Sequence, residues 1–254
     1  PDEFGRRIRA ILLDKLAKGV KVALVYDWLG SLNAHVRGFF KPLIEAGAEV
    51  RPYNPPAWTA GIGLFSRNHR KSLIIDEHTA FVSGLCISAA WNGKPAKGIE
   101  AWRDTGLALQ GPIVQDVLAA FEDTLISQGG TMPPLKRYEN EDAMPAGSTR
   151  ARVLATTPAN INTMRLDLNI IGLATQNLWI TDAYFMPTRM YVQALINAAK
   201  AGVDVRILVP RTSDIKWIGT VSRTQYRSLL DAGVRVFEWG GTMIHAKTAL
   251  VDGQ

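Results

Sequence analysis

A string of the form His-x-Lys-x4-Asp occurs twice: HRKSLIID, with His69, Lys71 and Asp76, and HAKTALVD, with His245, Lys247 and Asp252. The residues between Lys and Asp are mostly apolar and β-branched, so each string predicts a buried strand with polar residues set into it. Side chains alternate in direction along a strand. Each His therefore shares a face with its Lys, and the Asp, an odd number of residues from the His, points the other way.

The repetition extends around the two strings. AKGVKVALVYD at 17–27 is echoed by KAGVDVRILVP at 200–210, and EAGAEVRPYNP at 45–55 by DAGVRVFEWGG at 231–241. Each segment reads as a helix end, a Gly that stops it, and a Val-rich strand. The pairs Gly19/Gly202, Gly47/Gly233 and His69/His245 lie 183, 186 and 176 residues apart. Offsets this constant predict two copies of one α/β half that differ by small loop insertions. Short apolar strands alternating with helices predict, for each half, a mainly parallel sheet covered by helices on both faces.

The first half is expected over 1–127 and the second over 152–254, joined by a linker at 128–151 where periodicity gives way to Gly, Pro and charge. Helices are expected around 8–16, 33–45, 114–125, 162–175 and 189–201, and a strand at LWITDAYF, 178–185. Moved back by 183, that strand falls at or before residue 1, and the second copy of the motif ends two residues before the last residue. Both ends are therefore expected to be cropped.

Two imidazoles and two ammonium groups suit attack on a phosphodiester. One imidazole attacks phosphorus while the other protonates the leaving oxygen, and a ring that titrates near neutrality serves either role. Lys71 and Lys247 are expected to hold the non-bridging phosphate oxygens. With four cationic or potentially cationic side chains available, neither a metal nor another cofactor is called for. Asp76 and Asp252 are expected to fix the strand ends. Asp104, in WRDT, is expected to orient His69 through its ring N–H, the alternative being a simple pairing with Arg103. Tyr184 and Phe185 end a core strand, with a place along the substrate cleft as the second possibility.

A net charge of +6 favours an anionic partner. The Lys and Arg residues are scattered, and the lack of a dense basic stripe disfavours nucleic acid. No run of eighteen apolar residues occurs. A single cysteine, Cys86, leaves no internal disulfide to form.

With its duplicated HxKxxxxD motif, the chain resembles the phospholipase D superfamily, and within it the bacterial cardiolipin synthases of phospholipase D type. The finer likeness rests on WRDTGLALQGP (102–112), TDAYFMP (181–187), GVDVRILVPRTSD (202–214) and GTMIHAKTALVDG (241–253). The resemblance implies two similar α/β halves with one active site at their interface, His69 as nucleophile and His245 as acid/base. It implies phosphatidyl transfer between anionic phospholipids by a peripheral protein on the cytoplasmic face of a bacterial membrane. The alternatives are hydrolysis of phospholipid or nucleic acid by the same chemistry, and a non-catalytic anion-binding module. The family pattern continues after the first motif with Gly, a small residue, any residue and Asn. Here Ser83, Gly84, Leu85 and Cys86 stand at those positions. Ser83, Gly84 and Cys86 are thus the implied phosphate contacts, with a thiol replacing an amide donor.

Overall fold

A computed structural model describes residues 1–56, 67–134, 146–157 and 160–253. The chain divides into two compact units, residues 1–89 with 106–153 and residues 90–105 with 154–254. Both mix helices with parallel strands. Residues 90–105, placed in the first half by sequence, cluster with the second unit. Of the expected linker, 135–145 lie outside the described residues.

In the first unit, helix α1 (Glu3–Ala17) leads through Gly19 into β1 (Ala23–Asp27). Asp2 caps α1 by accepting the Gly5 N–H at 2.8 Å. The helix expected over 33–45 is instead two short ones, α2 (Leu32–Val36) and α3 (Lys41–Glu45). Gly38 lies between them at φ +63°, a left-handed setting that ends one helix, and Pro42 sits in the first turn of the next. Strand β2 (Glu49–Tyr53) then pairs parallel with β1.

Strands β3 (Ser72–Ile75), β4 (Thr79–Ser83) and β5 (Gly106–Gln110) form a separate antiparallel sheet. Helix α4 (Ile113–Ser127) places Val114 and Val117 against Ala80, with Ile74 and Leu109 at the edge of this cluster.

The second unit is built on one sheet. Helix α5 (Asn162–Leu173) precedes β6 (Asn177–Asp182), and α6 (Arg189–Lys200) leads into β7 (Asp204–Pro210). Then follow α7 (Lys216–Asp231), β8 (Arg235–Trp239) and β9 (Lys247–Val251). The strand order is β8-β7-β6-β9, parallel except for β9. Along β7, Val205, Ile207 and Val209 are buried while their neighbours are not, the alternation of a sheet with one covered face. That face packs on Ile171 of α5, Leu195 of α6 and Leu229 of α7. Full burial of such an aliphatic side chain contributes roughly 1.5–3 kcal/mol.

By the offsets of the repeat, β1 corresponds to β7, β2 to β8, and β3 to β9. In the second unit β6 lies between β7 and β9 and bonds to both. Among the described residues of the first unit no strand holds that place, and β1–β2 and β3–β5 are separate sheets. The motif strands are also less buried than their apolar sequence implies: Leu73 is 55 % exposed, Ile75 44 % and Leu250 47 %. Each packs one face on its unit's core and leaves the other open.

Candidate active site

The first motif leads into β3. His69 and Arg70 precede it and are exposed, and the Lys71 ammonium donates to the His69 carbonyl at 2.8 Å. The segment is pinned on both sides. Upstream, Asp27 at the end of β1 accepts from the Arg67 Nε (2.9 and 3.0 Å to its two oxygens) and from the Asn68 backbone N–H (2.9 Å). It also accepts from the Gly30 N–H at 2.6 Å. Burial raises the Asp27 pKa, but these bonds, with Arg67 foremost, hold it below the usual carboxylate range. Gly30 leaves room for this approach: a Cβ there would stand 2.9 Å from Arg67 Nη2 and 3.1 Å from Asp27 Oδ1, so a larger residue would shift the guanidinium. Downstream, Arg70 donates to the Ala120 carbonyl (2.8 Å) and the Thr124 hydroxyl (2.6 Å) of α4.

Asp76 and Glu77 follow β3 with φ of 51° and 59°, and the His78 N–H closes the turn on the Ile75 carbonyl at 3.1 Å. Two successive left-handed residues make a hairpin turn whose twist suits its strands, and Asp tolerates that conformation. Asp252 takes the same setting after β9, at φ 50° with Gly253 at 83°. Its carboxylate accepts the backbone N–H groups of Thr175, Gln176 and Asn177 and the Thr175 hydroxyl, all within 3.3 Å. The bond from the Asn177 N–H, followed by those from Gln176 and Thr175, holds the Asp252 pKa far below its ordinary value. The motif's Asp thus ties the end of β9 to the start of β6.

At the start of β9 the second motif is enclosed. Residues 101–105 run alongside 242–245: the Arg103 N–H donates to the Met243 carbonyl (2.9 Å) and the His245 N–H to the Arg103 carbonyl (2.7 Å). Because Arg103 stands opposite Ile244 in a parallel bridge, Asp104 and His245, each one residue on, come together. His245 Nδ1 lies 3.0 Å from Asp104 Oδ2, and the two side chains are 9 % and 1 % exposed. Asp104 was expected to orient His69. The structure pairs it with the imidazole of the other motif, because the backbone pairing of 101–105 runs to residues 242–245.

A buried carboxylate needs donors to offset its desolvation. Asp104 has the Trp91 indole N–H at 2.8 Å and the Thr105 backbone N–H at 2.8 Å. Burial raises its pKa, but the bonds from Trp91, Thr105 and His245 outweigh that and lower it. Lys247 Nζ stands 2.9 Å from His245 Nε2, 3.1 Å from His245 Nδ1 and 2.7 Å from the His245 carbonyl, and 5.1 Å over the Tyr184 ring. The ammonium thus lies against the imidazole within reach of both ring nitrogens, while Nδ1 also faces the Asp104 carboxylate.

Three aromatic rings surround the imidazole: Trp91 (5.1 Å between centroids), Tyr184 (5.6 Å) and Trp102 (6.0 Å). Tyr184 is fixed in turn by its hydroxyl on Asp214 at 3.0 Å. Below them, Asp182 stands cross-strand from Lys247. Burial raises the Asp182 pKa, against the Tyr184 N–H and the Lys247 charge. Asp27, Trp91 and Trp102 were not singled out in the sequence. The available signals were the end of a strand for Asp27 and, for Trp102, its place two residues before Asp104.

Ser83 ends β4 and its hydroxyl accepts the Leu85 N–H at 3.2 Å. Gly84 and Cys86 follow in the same turn, and the Cys86 carbonyl accepts from the Ser88 N–H at 2.9 Å.

Residues 168–254 match the family model described as cardiolipin synthase, PLD-like domain. The whole chain aligns at 33 % identity with a cardiolipin synthase of Geobacillus sp. (strain WCH70), covering 51 % of that protein. It aligns equally well, at 33 %, with cardiolipin synthase A of Pseudomonas fluorescens (strain SBW25), covering 52 %. The chain therefore spans about half the length of the curated relatives it matches. In fold it is similar to the phosphatidylserine synthase of Haemophilus influenzae Rd KW20, with a TM-score of 0.61 at 16 % identity over 99 % of this chain and 68 % of that one. The chain is thus similar over its whole length to the bacterial cardiolipin synthases and, over residues 168–254, to their PLD-like domain.

Proposed function

We propose that the protein transfers a phosphatidyl group between phospholipids, as in cardiolipin synthesis, through a covalent phosphohistidine. The observation that carries this reading is the His245 constellation: an imidazole with Nδ1 on a buried carboxylate and an ammonium against its ring.

In the first step the His69 imidazole attacks phosphorus, and the bond to the headgroup alkoxide breaks. His245, protonated on Nε2, gives that proton to the departing oxygen while Asp104 stabilises the imidazolium. In the second step, neutral His245 takes the proton of an acceptor alcohol, whose oxygen attacks phosphorus and releases His69. Lys71 and Lys247 hold the non-bridging oxygens throughout, and the incoming phosphate draws the Lys247 ammonium away from the His245 ring. Ser83, Gly84 and Cys86 contribute the weaker contacts to phosphate, and Asp76 and Asp252 hold the strands.

The partner is anionic phospholipid, and the protein works as a peripheral protein on the cytoplasmic face of a membrane. A net charge of +6 supports attraction to such a surface. Among the described residues no helix is long and apolar enough to cross a bilayer.

Labelled phosphatidylglycerol presented in vesicles tests the reading. Label is expected in cardiolipin and, in acid-quenched samples, transiently on protein. Label in phosphatidic acid alone replaces transfer with hydrolysis, and full turnover by His69→Ala overturns the mechanism.

A further inference from the structure

We propose that Trp91 is a positioning residue for the second motif: its indole N–H fixes Asp104 in the orientation that presents Oδ2 to His245 Nδ1, so that Nε2 is kept for proton transfer. The inference rests on the reading of His245 as a reacting imidazole.

The geometry singles Trp91 out. Its N–H and His245 Nδ1 meet the same carboxylate oxygen, at 2.8 and 3.0 Å. The other oxygen takes the Thr105 backbone N–H at 2.8 Å. With the Asp104 side chain 1 % exposed, water has little room to replace a lost donor. An indole is a donor only, so it cannot compete with Asp104 for the imidazole proton. Trp91 also meets the His245 ring edge-on, at 88° between planes. It therefore constrains the imidazole both through the carboxylate and by direct contact. Trp102 meets the same ring at 6.0 Å and packs on Trp91 at 4.8 Å. Its substitution serves as a control for aromatic packing.

The indole also draws charge from Oδ2. Removing it leaves a more basic carboxylate, which stabilises the imidazolium and raises the midpoint of His245. The other charged or titratable groups around His245 belong to different elements. Among the described residues they include Lys247 on β9, Tyr184 after β6 with its hydroxyl on Asp214, and Asp182 on β6 opposite Lys247. None of these is altered by a change at Trp91.

The test is the titration of His245 followed by NMR in the histidine-labelled chain, its signal assigned by loss in His245→Gln. In Trp91→Phe the midpoint is expected to rise by about half a unit. In Asp104→Asn it falls by about one unit, and Trp91→Phe on that background adds nothing further. Trp102→Phe leaves the midpoint in place. In the unsubstituted protein one indole proton follows the His245 midpoint and moves upfield in Asp104→Asn, a measurement that does not depend on the Trp91 variant folding. Kinetics on the phosphatidylglycerol vesicles are expected to show kcat about tenfold lower in Trp91→Phe with KM nearly unchanged. An unmoved midpoint in Trp91→Phe, an equal shift with and without Asp104, or an indole proton indifferent to Asp104→Asn overturns the proposal. No turnover by any form, with the midpoints moving as stated, overturns the functional reading and leaves the role of Trp91 standing.

Discussion

The two copies of His-x-Lys-x4-Asp share a local geometry and differ in almost everything built around it. In both, the Lys ammonium donates to the carbonyl of its own His, at 2.8 Å in the first and 2.7 Å in the second. In both, the Asp opens a left-handed turn, at φ 51° and 50°. Yet His245 is 7 % exposed, bonded to a buried carboxylate and ringed by aromatic groups, whereas His69 is exposed on a segment held from its flanks by Asp27 and α4. The motif specifies its own backbone. What surrounds it depends on the sheet: β9 pairs directly with β6, while β3 pairs with β4 in a sheet apart from β1 and β2.

If the motifs are chemically equivalent despite these settings, His69→Ala and His245→Ala each lower kcat by about 10³-fold or more, and the double variant is little worse than either. A variant that keeps a tenth of the activity breaks the equivalence. The supporting carboxylates come next. Asp104→Asn is expected to lower kcat about 100-fold, since Asp104 touches the imidazole, and Asp27→Asn about tenfold, since it acts through the backbone before His69. Steady-state kinetics on the same vesicles rank them, and equal losses erase the distinction between a buried and a flank-held motif.

Stability sharpens the contrast further. In the second unit Ile207 is fully buried in a core shared by three helices and four strands, so Ile207→Ala is expected to cost about 3 kcal/mol in urea unfolding. Val117→Ala, in the smaller cluster of Ala80, Val114 and Val117, is expected to cost about 1–2 kcal/mol.

The smallest effects concern the motif carboxylates. Asp252→Asn is expected to lower the melting temperature by a few degrees, because four groups bond its carboxylate. Asp76→Asn should change it by about one degree or less, since Asn accepts the left-handed turn equally well. Asp252, Asp104 and Asp27 all have pKa values depressed by folding. The stability they contribute is therefore present above the unfolded carboxylate value, near pH 4, and is lost as pH falls through the folded values. Thermal melts from pH 6 down to pH 3 are expected to decline, and Asp252→Asn to flatten that decline.

Much of this was legible in the residues. The Val-rich strands after Gly19, Gly47, Gly202 and Gly233 and the helices before them follow from periodicity and from glycine's access to left-handed backbone. Those are local preferences, settled within a few residues along the chain. The break at Gly38, which divides one expected helix into α2 and α3, is equally local and was overridden in the sequence by the apolar pattern around it. The duplicated motif, and the proposal of phosphodiester chemistry that starts from it, needed no more than residue identity and spacing. Partner choice did need the folded chain. Asp104 and His245 are 141 residues apart, and their meeting is set by Arg103 pairing with Ile244 rather than by any pattern within either string. The indole of Trp91 reaches the same oxygen from thirteen residues upstream, across an irregular segment that carries no periodic signal. Local sequence determines which elements form and which way their side chains point. That Asp104 meets the imidazole of the second motif depends on long-range backbone pairing, and only the tertiary structure decides that.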